Sequence, residues 1–226
     1  MVHNAHAGSS LIADNVIANN SLGSFPVGMS IRGNGQDDDD TPMPIDNVTL
    51  RGNVIHGWGG GLLLEGSALD VQNVTLDRNI LEGRGNERVV NHFGAGGGTA
   101  NTASVTSLDN RFWNQNQGNG LFEIEFGPVS FETWQAEVGD TTSTVESPGF
   151  PDPDRDIARY HDEVLGAASS YEAFVAAARE QRRGNWQDAY TARAVNDWVR
   201  QGFDLGTLFA DGFESGTTSA WSSSSP

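Results

Sequence analysis

This chain repeats one nine-residue frame four times, and the repeat limits the folds that it can adopt. The frames align without gaps as SSLIADNVI (9–17), NVTLRGNVI (47–55), NVTLDRNIL (73–81) and SVTSLDNRF (104–112). Apolar residues alternate within the frames, and an asparagine follows in register, at Asn15, Asn53, Asn79 and Asn110. Unequal spacing between such persistent frames is typical of a solenoid whose loops carry insertions.

A second apolar run follows each frame. These runs are VGMSIRG (27–33), GGLLLEG (60–66), ERVVNHF (87–93) and NGLFEIEF (119–126). Residues 46–66 contain three strand-like runs with no helix and no Asn-Gly hairpin turn between them. Such short strands must pair with their equivalents in other repeats. We therefore predict an all-β solenoid, a right-handed single-stranded parallel β-helix, with alternate side chains filling a narrow core.

The aligned asparagines predict an internal ladder. Asparagine tolerates left-handed backbone geometry at a bend, and its amide can hydrogen-bond to the asparagine one repeat away. The alternative is that asparagine is simply common in turns. Four matches at one position of the frame favour the ladder.

The spacing of apolar residues changes from a strand period to a helical period near Pro148. The chain is therefore predicted to contain coils, a helical region and a tail. Residues 1–150 would form the β-helix coils, and we expect this region to be truncated because the first frame begins by residue 9. Residues 151–203 would form a small α-helical cap that covers the open strand edge. An independent binding domain is the alternative to a cap. Residues 204–226 form a low-complexity tail.

Helical periodicity supports the predicted cap. Phe174, Val175 and Ala178 fall on one face of a helix, and a capping box is predicted at Ser169 and Glu172. The next stripe consists of Tyr190, Val195, Trp198 and Val199. The predicted helices are 155–166, 170–183 and 188–203.

Residues 131–154, FETWQAEVGDTTSTVESPGFPDPD, resemble the closing coil of bacterial carbohydrate-active β-helices of the pectate lyase-like superfamily. In those proteins a Trp-Gln strand, a Gly-Asp turn and a serine lead to a proline-rich exit. The resemblance covers roughly residues 9 to 154 and implies the C-terminal portion of such a protein. It implies the fold, contact with polysaccharide and export from a bacterial cell. The C-terminal segment FADGFESG…SAWS is similar to tails on secreted bacterial proteins.

Composition excludes several classes of partner. The formal charge of −17 argues against nucleic acid or an anionic membrane surface. No apolar run reaches the length of a membrane span, so no membrane insertion is expected. The chain contains no cysteine, which excludes disulfides and thiolate chemistry. The oligomeric state does not follow from the sequence.

A row of polar residues predicts a groove on one face of the coils. If Met29, Ile31 and their equivalents point inward, then Arg32, Glu65 and Glu123 point outward. The coil between them contributes His92 or Asn91, because VVNHF fits either register. Arg32, Glu65, His92 and Glu123 are therefore the candidate catalytic residues, as acid, base or uronate-binding groups. The alternative is that a β-helix face simply carries polar residues.

Four consecutive aspartates, Asp37, Asp38, Asp39 and Asp40, follow one of the predicted strands. Clustered carboxylates suit calcium, which makes this loop a candidate calcium site. A solvated acidic loop is the alternative, and the spacing of an EF-hand is absent.

Two functions are compatible with these features. One is the C-terminal portion of an exported bacterial polysaccharide lyase or glycoside hydrolase. The other is a non-catalytic β-helix for surface attachment or structure. Lysine is absent from the chain, so the lysine–arginine mechanism of the alginate- and chondroitin-cleaving relatives cannot operate here as written. The paired-aspartate and Gly-His-Gly motifs of the polygalacturonase-like relatives are also missing.

Overall fold

A computed structural model describes residues 9–18, 27–33, 35–36, 42–43, 45–66, 71–84, 88–94, 99–114 and 121–205. The chain divides into two compact units, Met1–Gly149 and Phe150–Pro226. Within the described ranges the first unit contains strands β1 to β16 and one α-helix, and the second contains three α-helices. The predicted tail from residue 206 onward lies outside the described residues.

The strands of the first unit are short. In chain order they are β1 (Ser10–Ala13), β2 (Val16–Ala18), β3 (Val27–Arg32), β4 (Gly35–Gln36), β5 (Pro42–Met43), β6 (Ile45–Arg51), β7 (Val54–Trp58), β8 (Gly60–Glu65), β9 (Val71–Asp77), β10 (Ile80–Gly83), β11 (Val90–Phe93), β12 (Val105–Leu108), β13 (Arg111–Asn114), β14 (Phe122–Ile124), β15 (Gly127–Val129) and β16 (Thr144–Val145). A 3-10 helix, Thr102–Ser104, precedes β12.

The strands form three sheets in which almost every pairing is parallel. The first sheet has the order β1-β6-β9-β12, the second β2-β7-β10-β13-β16 and the third β3-β8-β11-β14-β15. Along the chain, successive strands belong to the first, second and third sheets in turn, and this order occurs four times. Strands β4 and β5 form a separate antiparallel pair. Among the described strands of the three sheets, β15 alone runs antiparallel. The result is a mostly β, parallel β-helix-like arrangement, as predicted.

Aligned rows of apolar side chains form the core. In the first sheet Val48, Val74 and Val105 are in register and are all buried. In the third sheet Leu62 is aligned with Val90 and Phe122, which are also buried. A period of two sends these side chains inward, as predicted. In β8 the burial does not alternate, because Leu63 is buried as well as Leu62 and Leu64.

The predicted asparagine ladder is present. The Nδ2 atoms of Asn15, Asn53 and Asn79 donate to the Oδ1 atom of the next asparagine at 2.9, 3.0 and 3.0 Å. The backbone N–H of each donates to the same Oδ1 atom at 3.2, 3.0 and 2.9 Å. The Asn110 N–H ends the ladder on the Ser143 hydroxyl at 2.9 Å.

One part of the ladder prediction is wrong, since the asparagines are not the left-handed residues. The left-handed residue precedes each asparagine, at Asp14, Gly52, Arg78 and Asp109, with φ of 57°, 61°, 54° and 54°. The bend therefore falls one position earlier. This leaves each asparagine free to align its amide and its backbone N–H with the same neighbour.

Residues 131–138 form an α-helix where the resemblance implied a strand. Helix α1 (Phe131–Val138) begins at Ser130, whose hydroxyl accepts the Thr133 N–H, and ends at Gly139 with φ 67°. Its Trp134 is fully buried and stacks on Phe122 at 5.1 Å between ring centroids. The helix thus contributes its indole to the same core as the strands.

The second unit has helices close to the predicted ranges. They are α2 (Ile157–Glu163), α3 (Tyr171–Arg179) and α4 (Ala192–Gln201). Tyr160, Phe174 and Val195 form their buried centre. The cap of α3 is Ser170 rather than Ser169, because the Ser170 hydroxyl accepts the Ala173 N–H at 3.3 Å. That this unit covers the β-helix edge remains a prediction.

The ladder makes a graded prediction about stability. Asn79→Ala removes bonds to Asn53, Asn110 and the Leu50 carbonyl, so we expect the free energy of unfolding to fall by roughly 1–3 kcal/mol. Asn15 is exposed and lies at the end of the ladder. Asn15→Ala should therefore cost less than about 1 kcal/mol. Chemical denaturation of both variants checks this; equal effects would contradict a buried ladder.

Candidate functional site

The outer face of the third sheet carries most of the predicted site. Register pairs Arg32 with Glu65 and Glu65 with Phe93, which forms one outward row. The next outward row contains Asn91 and Glu123. Adjacent strands lie about 4.8 Å apart, so neighbouring side chains in a row are within reach of one ligand.

Arg32 and Glu65 form an ion pair across adjacent turns. The Arg32 Nε atom lies 2.9 Å from the Glu65 carboxylate and 3.2 Å from the Ser30 hydroxyl. The Arg32 side chain is 41% exposed. The Glu65 side chain is 17% exposed, so the pair is partly open to water, and ion pairs at the surface contribute about 0–1 kcal/mol to stability. Its guanidinium can therefore exchange this partner for an anionic ligand at little cost to the fold.

Glu123 lies on the same face as Arg32 and Glu65 but in the neighbouring row. Its carboxylate is 3.7 Å from the Arg88 Nε atom, and both side chains are partly exposed. The face therefore presents two arginine–carboxylate pairs that come from different turns of the chain. Three of the four predicted residues share it.

The placement of His92 in this groove is wrong. Its register with Leu64 and Ile124 puts it in an inward row, and the side chain is fully buried. Neither ring nitrogen has a hydrogen-bond partner among the residues that the structure describes. Burial lowers the pKa of His92 to about 4, and the nearby Glu125 charge opposes that shift only in part. The outward residue of this strand is Asn91.

An aromatic stack continues the Arg32–Glu65 row. Phe93 stacks on Phe126 with ring centroids 4.7 Å apart, and Phe126 is 69% exposed. An exposed phenyl ring offers an apolar face to the C–H groups of a sugar ring. The row thus combines a cation, a carboxylate and an aromatic platform.

The backbone that presents Phe126 is strained. Glu125 and Phe126 are the two central residues of the β14–β15 hairpin, and their φ angles are 51° and 61°. Hairpins with both central residues at positive φ usually contain Asn-Gly, because other side chains cost roughly 1–2 kcal/mol there. The Glu125 carboxylate accepts the backbone N–H groups of Gly94 and Ala100, which fixes the turn. Backbone strain of this kind clusters at functional sites, which makes Phe126 a candidate binding residue.

Sequence reasoning missed this platform. Strict alternation from Phe122 and Ile124 would point Phe126 inward, and the hairpin breaks that alternation. The Gly127-Pro128 pair directly after it is the sequence signal for a turn.

A histidine–carboxylate pair lies on the second sheet, and sequence reasoning missed it as well. His56 Nδ1 is 2.5 Å from the Glu82 carboxylate, and both side chains are buried. Register aligns Glu82 with Trp113, and a bulge with Gly57 at φ 78° shifts the pairing beside His56. Bulges of this kind re-aim side chains near functional sites.

The candidate calcium residues Asp37, Asp38, Asp39 and Asp40 lie outside the described residues. Across the described ranges, no group of three or more histidine, aspartate or glutamate side chains is placed to hold a metal ion. Among the helices in those ranges, none has the length and apolar character needed to cross a bilayer.

Comparisons with protein-family models, curated proteins and solved structures gave no match to this chain. The fold described above therefore rests on strand topology and register. The relation to pectate lyase-like proteins is an interpretation of residues 9–154.

The buried imidazole predicts a pH-dependent loss of stability. Histidine in the unfolded chain titrates near pH 6.5, whereas His92 in the folded protein takes up a proton only near pH 4. As pH falls between these values the unfolded state gains a proton that the folded state lacks, which lowers the free energy of unfolding by about 3 kcal/mol.

His92→Leu tests this dependence, because leucine matches the row formed with Leu64 and Ile124. Denaturation of parent and variant from pH 7 to pH 4 should show a shallower decline for the variant. The difference between the two curves isolates His92 from the carboxylates that titrate in the same range. Parallel curves would contradict a neutral, buried His92.

Proposed function

We propose that this protein binds acidic polysaccharide along the outer face of the third sheet. In this proposal the chain is a right-handed single-stranded parallel β-helix of the pectate lyase-like superfamily, exported to the surface or exterior of a bacterial cell. The observation that carries the proposal is the row Arg32–Glu65–Phe93, which ends at the exposed Phe126 ring. It combines the groups that recognise charge and ring shape.

Each group has a distinct role in this proposal. The Arg32 guanidinium binds a uronate carboxylate through two parallel N–H bonds, displacing Glu65 from the observed pair. Phe126 packs against the apolar face of the adjacent sugar. Asn91 donates and accepts hydrogen bonds with sugar hydroxyls. Glu65 and Glu123 add affinity when calcium bridges them to the polysaccharide.

Binding without cleavage is the form of the proposal that this face supports best. His92, one of the four candidate residues, is fully buried in the core and therefore out of reach of a ligand on this face. The remaining groups bind and orient a ligand. The protein then acts as a non-catalytic module for polysaccharide attachment.

Cleavage by the same protein is a second candidate, and the His56–Glu82 pair favours it. A histidine held by a carboxylate in one orientation is a common general base. In this version the second sheet carries the reaction of a lyase or glycoside hydrolase, with Trp113 beside the pair.

Calorimetric titration with oligogalacturonate and oligoalginate, with and without calcium, tests the binding proposal. Arg32→Ala should weaken binding at least about tenfold, the effect of losing a charge-assisted contact. Phe126→Gly should fold normally, since glycine adopts φ 61° freely, and should also weaken binding. Binding of the parent should weaken as salt is raised.

Arg111→Ala is the matched control. Arg111 is 40% exposed, close to the 41% of Arg32, and pairs with Glu146 at 3.1 Å, but it lies on the second sheet. Unchanged binding in this variant supports a specific site, whereas an equal loss would indicate general charge attraction. No binding of acidic glycans by the parent contradicts the proposal. Unsaturated or reducing-end product that disappears in His56→Gln would establish cleavage instead.

A further inference from the structure

The outer face of the first sheet contains a trough of about 310 Å³. Among the described residues that line it, all except Ala103 carry a hydroxyl or an amide and none carries a charge: Ser9, Asn47, Thr49, Asn73, Thr75, Ser104 and Thr106. The chain as a whole carries a formal net charge of −17. A neutral trough is therefore a distinct feature of this face.

Three threonines form the floor of this trough. Register aligns Thr49 with Thr75 and Thr75 with Thr106, one from each of three adjacent strands. Their neighbours Val48, Val74 and Val105 point into the core, so the threonine side chains point outward. Within the described part of the chain their hydroxyls have no hydrogen-bond partner. They repeat about every 4.8 Å, each able to donate one hydrogen bond and accept two.

Two asparagines extend the trough beside the threonines. Asn47 and Asn73 have φ of 55° and 51° and interrupt the register between β6 and β9 at the same position. Asparagine adopts this conformation more readily than most residues. The Asn73 amide donates to Asp46 at 2.7 Å, which orients its Oδ1 atom as a remaining acceptor. The amides thus form a second polar line parallel to the threonines.

We propose that this trough binds a neutral oligosaccharide. A ligand that fits must supply hydrogen-bond donors and acceptors at regular intervals along its length and carry no net charge. An anionic ligand would meet no cation among the described lining side chains, and an apolar ligand would leave the hydroxyls without partners. A linear neutral glycan meets both requirements. This site is independent of the third-sheet face and of the function proposed for it.

Titration with neutral linear hexasaccharides of glucose, mannose and xylose tests the proposal. At least one should bind, and its affinity should be almost independent of salt because no charges take part. Thr75→Val keeps the shape and the strand preference of residue 75 but removes its hydroxyl. We expect it to bind that glycan about three- to tenfold more weakly. Thr49→Val should act in the same direction.

Thr144→Val is the matched control, since Thr144 is an exposed strand threonine on the second sheet. It should bind as the parent does. Arg32→Ala should also leave neutral glycan binding unchanged, and Thr75→Val should leave acidic glycan binding unchanged. The proposals for the two sites can therefore be tested independently. Absence of binding to every neutral hexasaccharide overturns the proposal. Binding that Thr75→Val leaves intact also overturns it.

Discussion

The asparagine ladder is the interaction on which the rest of this structure depends. Each buried amide joins the bend between the first and second sheets of one turn to the same bend in the next. It satisfies backbone groups that a tight corner would otherwise leave without partners. It also fixes the alignment of the turns, so that valines stack with valines inside and threonines with threonines outside. Without a fixed alignment, neither outer row would bring its members together.

Much of this architecture could be predicted from the sequence. A repeated frame with a period of two specifies which strands pair and which side chains point into the core. Val48, Leu62 and Phe122 were predictable as core for that reason. The burial of His92 was not predictable, since either Asn91 or His92 could point inward in VVNHF. Only the register of His92 with Leu64 shows that His92 is the inward residue. Helix α1 was missed because a single tryptophan that covers a core has no periodic signature.

The candidate sites depend on departures from the repeat, and this is why the sequence predicted them less well. Phe126 reaches the Arg32–Glu65 row only through a strained hairpin, and His56 meets Glu82 beside a bulge. The trough, in contrast, follows directly from the regular frame, whose Asn-Val-Thr segments place like residues side by side. Two faces of one stack of strands thereby acquire different chemistry, one charged and aromatic, the other neutral and rich in hydroxyls.

Hydrogen exchange at the asparagine side chains, followed by NMR, tests the central claim most directly. We predict that the side-chain amides of Asn53, Asn79 and Asn110 exchange orders of magnitude more slowly than that of exposed Asn15, with rates set by global unfolding. Equal, solvent-like exchange at all four side chains would contradict a buried ladder, and with it the alignment of turns that both proposed binding faces require.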